Sequence, residues 1–357
     1  MERLKALPVQ LVEVDDGVIL RRGCTQLMVS GPEAAKTVGM ILTAAYGAGI
    51  TVEEARAASA APLRDDVEDL IVKLRERLIL VPGDAEAPPP PQQETELEVF
   101  YWHFGTRPEQ VAQRIQQKRI AILGVNTISR RLATVLAETG VAGVEVIDFP
   151  LLRNLRLFDD RGRLNAGAWG VPGKSPLAFE TWADGASESM DCLVATSDFG
   201  AQQIMRDWNR FCVQYKQHFF PVVLQDVIGY VGPLVVPGET ACFECLRGRQ
   251  NANMDDPKSA RAAEDRAFQG QMVNGFHPSL ASVLGDFAAI ELTKFYSGSI
   301  PASRAGSLIE VNLLYPELNI RRVLKVPRCA VCSNLNRRSS ASVTKDIPSA
   351  QDWSVPK

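Results

Sequence analysis

Four cysteines set as two Cys-x-x-Cys pairs, Cys242-Phe243-Glu244-Cys245 and Cys329-Ala330-Val331-Cys332, constrain this chain more than any other feature. Each pair can supply one edge of a tetrahedron of thiolates. Together they predict a zinc ion with four protein ligands and no position open to water. Such a metal is structural, and it ties together two segments far apart in the chain. Cys24, Cys192 and Cys212 sit singly in apolar segments, which makes seven cysteines, an odd count. That pattern argues for metal rather than a disulfide framework. A redox pair and plain buried thiols are the alternatives, but a redox Cys-x-x-Cys normally opens a helix after a strand and needs no distant twin.

A chain of 357 residues exceeds what one core usually serves, so two domains are expected. The break falls at 84–98, where four consecutive prolines and a run of acids and glutamines leave nothing to pack; a linker is predicted there. Before it, residues 7–30 read as an antiparallel ribbon broken by Asp15-Asp16-Gly17 and Arg22-Gly23. Helices are expected over Pro32–Tyr46, Thr51–Ala60 and Leu63–Arg77. Thr51 with Glu54 has the form of a capping box, and Val67, Leu70, Ile71 and Leu74 recur at helical spacing. With a returning strand at Leu78–Val81, residues 1–83 read as a winged-helix-like α+β unit.

Phe100–Lys118 is expected to form an amphipathic lead-in helix. The strand Arg119–Leu123, a helix over 127–139 and the strand Val144–Asp148 then make a βαβ unit, and buried strands at Leu193–Thr196 and Pro221–Leu224 extend it. Residues 99–335 are thus expected to form a Rossmann-like α/β domain with a mainly parallel sheet, and 336–357 a flexible tail with Trp353 as its one anchor. A net charge of −3 gives no broad basic field, so nucleic acid is not an expected partner. No apolar run is long enough to span a bilayer, and the first twenty residues lack the pattern of a secretory signal; a cytoplasmic protein is expected.

Around the first cysteine pair the sequence runs VGPLVVPGETACFECLRGR. Gly232-Pro233-Leu234, Pro237-Gly238-Glu239-Thr240 and the spacing of both pairs resemble the ThiF/MoeB-type adenylating superfamily. The order of units resembles its peptide-maturation branch, which holds the MccB-like adenylyltransferases and the ThiF-like leader-binding partners of YcaO cyclodehydratases. The resemblance implies a structural zinc on the four cysteines, a homodimer formed through the Rossmann-type domains, and a first domain that takes a leader peptide by β-augmentation. The peptide would add a strand beside Gln26, Leu27, Met28, Val29 and Ser30. It would seat apolar anchors on the third helix at Val67, Leu70, Ile71 and Leu74, with Lys73, Arg75 and Arg77 meeting acidic leader residues.

Adenylation in that superfamily rests on a glycine-rich loop after the first strand, and here the loop departs from the pattern. It reads Gly124-Val125-Asn126-Thr127-Ile128-Ser129, with no glycine at 126 or 129. Glycine there permits positive φ and lets the backbone approach phosphate. Asn126 tolerates a left-handed conformation at modest cost, whereas Ser129 adds a side chain at the helix–strand contact. Arg130 and Arg131 oppose the helix dipole by ~0.3–1 kcal/mol each or attract an anion. Asp148 matches a ribose-binding acid, Lys174 a phosphate-facing lysine, and Asp198 either a magnesium ligand or a helix cap. No nucleophile stands in an activating context, and His103, His218 and His277 are scattered.

The expected function is therefore a non-catalytic, leader-peptide-binding scaffold for a YcaO-type cyclodehydratase in peptide natural-product (RiPP) biosynthesis. Its Gly124, Asn126, Ser129, Asp148, Lys174 and Asp198 would be remnants of a nucleotide site, with ATP and magnesium not expected. The alternative is an ATP-dependent enzyme of MccB or ThiF type that adenylates a peptide. A sulfur-carrier-activating protein is a third reading, disfavoured by the extra N-terminal unit.

Overall fold

The computed structural model describes residues 2–83, 95–103, 108–171, 173–185, 190–259, 262, 275–298, 305–312 and 314–333. Most of the expected linker and the whole expected tail, Trp353 included, lie outside these. The chain divides into two compact units, Met1–Val111 and Ala112–Lys357.

The first unit contains β1 (Leu4–Ala6), β2 (Gln10–Val14), β3 (Gly17–Arg22), β4 (Thr25–Ser30), α1 (Ala34–Tyr46), α2 (Val52–Ala58), α3 (Arg64–Glu76), β5 (Leu80–Pro82) and α4 (Glu96–Trp102). β2, β3 and β4 form an antiparallel ribbon in that order, and β5 pairs antiparallel with β1. Alternation explains the ribbon: Val18 and Leu20 of β3 point into the core, where Leu27 and Val29 of β4 pack beside them. The predicted capping box forms, with Glu54 N–H donating to the Thr51 hydroxyl and Thr51 N–H to the Glu54 carboxylate. Val67, Ile71 and Leu74 of α3 are buried against Val38, Ile41 and Leu42 of α1 in one core.

The single lead-in helix expected over 100–118 is two helices, α4 and α5 (Pro108–Gln116). Proline is favoured in the first turn of a helix, where its missing N–H loses no partner, and α5 opens on Pro108. α4 also belongs to the first unit rather than the second. Trp102 is buried in the first core, its indole N–H bonds the Leu78 carbonyl at 3.1 Å, and the Arg22 guanidinium stacks 4.9 Å from its ring.

The second unit continues with β6 (Arg119–Leu123), α6 (Thr127–Glu138), β7 (Gly143–Asp148), α7 (Ala166–Trp169), β8 (Leu177–Ala178), α8 (Phe179–Gly185), β9 (Cys192–Ser197), α9 (Gln202–Gln214), β10 (His218–Gln225) and β11 (Ile228–Val231). α10 (Phe243–Ala252), α11 (Pro278–Tyr296), β12 (Ser307–Asn312) and β13 (Glu317–Arg322) follow. The sheet has eight strands in the order β13-β12-β11-β10-β9-β6-β7-β8. β10, β9, β6, β7 and β8 are parallel, as the Rossmann-like reading requires, and β11, β12 and β13 are antiparallel additions. β9 is buried along its whole length, consistent with cover on both faces. Among the described residues no helix is long and apolar enough to cross a membrane.

Candidate functional site

In an open parallel sheet, ligands bind outside the carboxyl ends of the strands where strand order reverses. Here that place is the loop from β6 to α6, beside the ends of β7 and β9. Gly124 has φ 108°, and a Cβ there would lie 2.8 Å from the Thr196 carbonyl oxygen and 2.9 Å from Leu152 Cβ, so glycine is required on both counts.

The next residues close the loop on itself. Asn126 is extended at φ −150°, not left-handed as the sequence had allowed, and it caps α6. Its amide oxygen accepts from Ser129 N–H at 3.0 Å while its amide nitrogen donates to Thr196 at both carbonyl (2.9 Å) and hydroxyl (3.0 Å) and to the Leu152 carbonyl (3.3 Å). Ser129 returns the bond, its hydroxyl accepting from Asn126 N–H at 2.9 Å. Ser129 therefore belongs to a buried capping box instead of merely crowding the helix–strand contact. Asp198, at the end of β9, accepts from Thr127 N–H at 3.2 Å and from the Asn154 amide at 2.7 Å.

Besides that of Ile128, the N–H groups a phosphate would meet at the start of α6 are those of Asn126, Thr127 and Ser129. All three are already satisfied by buried side chains of the chain itself. Asp198 is 2% exposed, and burial pushes its carboxyl above its ordinary pKa against the pull of the Asn154 and Thr127 hydrogen bonds. It caps α6 from across the sheet, not the helix that follows it.

The other sequence-derived candidates are engaged elsewhere. Asp148 sits at the end of β7, close to the loop, but both its oxygens are taken by Arg153, at 2.6 and 2.9 Å, and that guanidinium also lies 4.9 Å from the Phe158 ring. Arg153 was missed; its only signal in the sequence was a cation five residues after an acid. Lys174 is not at the site. Its ammonium bonds the Val144 carbonyl at 3.0 Å, near the opposite end of β7 from Asp148, which at about 3.3 Å per residue is some 13 Å away. Arg130 bonds the Ala168 carbonyl and Arg131 pairs with Asp286, so neither is free for an anion.

The four cysteines do come together. Their sulfurs all lie within 4.8 Å of one another, with Cys242–Cys245 at 3.8 Å, Cys242–Cys329 at 3.6 Å and Cys245–Cys332 at 3.4 Å. A tetrahedron with metal–sulfur bonds of about 2.3 Å has edges of about 3.8 Å, so the four could hold a metal ion. The hydrogen bond from Cys242 pulls the Cys245 thiol well below its ordinary pKa and pushes Cys242 up, and Val326 N–H points at the Cys245 sulfur from 3.3 Å. Cys242 caps α10, which places the first pair at a helix start.

In the first unit, an open groove of about 740 Å³ runs between β4 and α3. Leu27, Met28, Val29 and Ser30 line one wall, and Asp66, Val67, Leu70, Lys73 and Arg77 are among those lining the other. Among the described residues β4 pairs only with β3, and its other edge has no strand partner. Gly23, at φ 55°, opens a two-residue turn closed by Arg22 and Thr25. In such a hairpin the closing pair is hydrogen-bonded and the bonds alternate, which leaves the main-chain groups of Gln26, Met28 and Ser30 pointing away from β3. Two expected anchors are corrected: Ile71 and Leu74 face the core and do not line the groove, whereas Val67, equally buried, and Leu70 form part of its wall. Arg75 pairs with Glu2 and is not among the residues lining the groove.

Residues 175–333 match the ThiF family. This chain carries a ThiF-family domain. No curated protein sequence matches it. Among solved structures it is similar to Escherichia coli MccB, at 18% identity and TM-score 0.67 over 94% of this chain and 100% of that one, in a crystal with succinimide. MccB crystals with MccA-N7isoASN and with ATP are matched similarly, at 18% and 17% identity and TM-scores of 0.67 and 0.65 over 94% and 93% of this chain. A heterocyclase in complex with substrate and cofactor matches at 17% identity and TM-score 0.59, over 94% of this chain but 40% of that one. At these identities the likeness is one of fold. The ThiF match takes in Asp198 and all four cysteines, whereas the loop Gly124–Ser129 and the groove lie before its first residue.

Proposed function

We propose that this chain is a leader-peptide-binding scaffold, which captures a ribosomal precursor peptide in its first unit and presents it to a separate YcaO-type cyclodehydratase that uses the ATP. The observation that carries the reading is the internal occupation of the β6–α6 loop. A phosphate cannot reach the start of α6 without displacing a buried capping box and the Asp198 carboxylate, at about 1 kcal/mol for each hydrogen bond exchanged and more for each group left unpaired. The peptide adds a strand along β4, bonding the outward main chain of Gln26, Met28 and Ser30, with apolar side chains on Leu27, Val29, Val67 and Leu70 and acids toward Lys73 and Arg77. The metal of the four-cysteine site is zinc, in a purely structural role, and the protein works as a homodimer. The fold likeness to a heterocyclase, 40% of which this chain covers, supports a place in cyclodehydration.

The adenylating alternative draws on Asp198 and Asn154, which both remain near the loop. Asp198→Asn separates the two, because asparagine keeps an acceptor for Thr127 and Asn154 but removes the charge a magnesium ion needs. For a scaffold, the purified chain with ATP and precursor peptide releases neither AMP nor pyrophosphate, and Asp198→Asn leaves the partner's cyclodehydration within a few-fold of the parent. Release of AMP by the chain alone, or a hundredfold loss in the variant (~2.7 kcal/mol of transition-state stabilisation), would establish the enzyme instead.

A further inference from the structure

Cys24 and His103 stand 79 residues apart in the chain and belong neither to the groove lining nor to the cysteine cluster, yet the first unit brings them together. Cys24 Sγ lies 3.7 Å from His103 Nδ1 and 3.8 Å from Nε2. Cys24 is the exposed one of the seven cysteines, carried at the tip of the turn between β3 and β4. His103 ends α4, where its N–H bonds the Phe100 carbonyl at 3.2 Å and its ring lies 5.1 Å from that of the buried Trp102. Gly23 gives the imidazole its seat. A Cβ there would lie 2.3 Å from Nε2 and 2.6 Å from Cε1, so any larger residue would push the ring off the turn.

A thiol attacks as its thiolate, and a base within reach takes the proton. A neutral imidazole has one nitrogen that carries hydrogen and one that accepts it. Since both nitrogens lie at nearly the same distance from the sulfur, His103 offers an acceptor in either tautomer. Beside the pair, an open cavity of about 620 Å³ is lined by Gly23 and Val99 and by Gln10, Arg21 and Arg22 among others, with no acid in its wall. The Arg22 guanidinium bonds the Pro8 carbonyl at 2.7 Å, whereas Arg21 is exposed with no carboxylate partner among the described residues. That wall suits a reactant bearing carboxylates.

We infer that Cys24 is a thiol–disulfide exchange site, with His103 as its base, for a low-molecular-weight disulfide that carries carboxylates. Cys24 Sγ attacks one sulfur of the disulfide while its proton passes to the free nitrogen of His103. The old S–S bond breaks as the new one forms, and the proton moves from His103 to the departing thiolate. One disulfide becomes one mixed disulfide and one thiol, so no outside oxidant is needed. The site depends on neither the peptide-binding nor the metal reading.

The test uses the full chain with oxidised glutathione as probe, following adduct formation by intact mass and mapping it by peptide mass. One adduct per chain is expected, on Cys24, forming at least tenfold faster than on free cysteine and absent from Cys24→Ser. His103→Gln is expected to slow it at least tenfold at unchanged circular dichroism, and added imidazole to restore part of the rate, which a merely structural role for His103 would not allow. With both rates normalised to free cysteine, oxidised glutathione is expected to outrun the cationic disulfide cystamine, and Arg21→Gln to narrow that preference. A parent rate no greater than that of free cysteine, or one that His103→Gln leaves unchanged, overturns the exchange site. A preference for cystamine overturns the carboxylate-bearing reactant.

Discussion

Asn126→Ala tests the claim that the loop is closed by its own side chains. Asn126 is fully buried and makes four hydrogen bonds, three of them at 2.9–3.0 Å and one at 3.3 Å. Removing them strips the cap from Ser129 N–H and leaves the Thr196 carbonyl without this donor. At about 1 kcal/mol for each of the three shorter bonds the loss is about 3 kcal/mol, and the cap alone accounts for ~0.5–2 of it. For a unit of this size each kcal/mol moves the melting temperature by about 2–4 °C, so differential scanning calorimetry is expected to show the second unit melting about 6–12 °C lower. Asn126→Asp sharpens the test. Aspartate caps helices as well as asparagine does in general, but here it would face the Thr196 and Leu152 carbonyls with a second acceptor. It is expected to destabilise at least as much as alanine. An Asp variant as stable as the parent, or an Ala variant within about 2 °C of it, would refute the network.

Cys245→Ser is expected to lose the metal, measured as zinc per chain, and with it on the order of 10 kcal/mol of apparent folding free energy, seen as insolubility or a lost thermal transition; a well-folded preparation of the parent without zinc would contradict the site. For Asp198 the sign follows from its raised pKa. Between its unfolded and folded values the unfolded chain gives up the proton first, so its contribution to stability falls as pH rises through that window. Asp198→Asn is accordingly expected to gain on the parent in thermal melts as pH rises from below 3.8 toward neutral, and a difference that does not change with pH would remove burial as the dominant cause. Met28→Pro deletes an outward N–H of β4 without touching the bonds to β3, a place where edge strands tolerate proline. Calorimetry is expected to show at least tenfold weaker binding of the precursor peptide at unchanged helical circular dichroism; unchanged affinity would move the peptide off this edge.

Much of the fold could be read from local pattern. The two Cys-x-x-Cys pairs, the βαβ run from Arg119 to Asp148, the ribbon with its turn at Gly23 and the capping box at Thr51 each depend on residues a few positions apart, and backbone geometry fixes what such spacings do. The absence of glycine at 126 and 129 was legible in the same way, although what the side chains there bond was not. What local pattern could not supply was the partner of each polar group. Lys174 lies at the wrong end of β7, Asp148 is held by Arg153, and Asp198 caps a helix that begins 71 residues earlier. The face of α3 was ambiguous for a related reason: the periodicity that marks Val67, Ile71 and Leu74 is that of burial, and a groove is lined by whatever flanks the buried stripe. Spacing determines which side chains share a face, but hydrogen bonds and ion pairs are settled by which strand ends the sheet order brings within three ångströms, and that is decided only when the whole chain has packed.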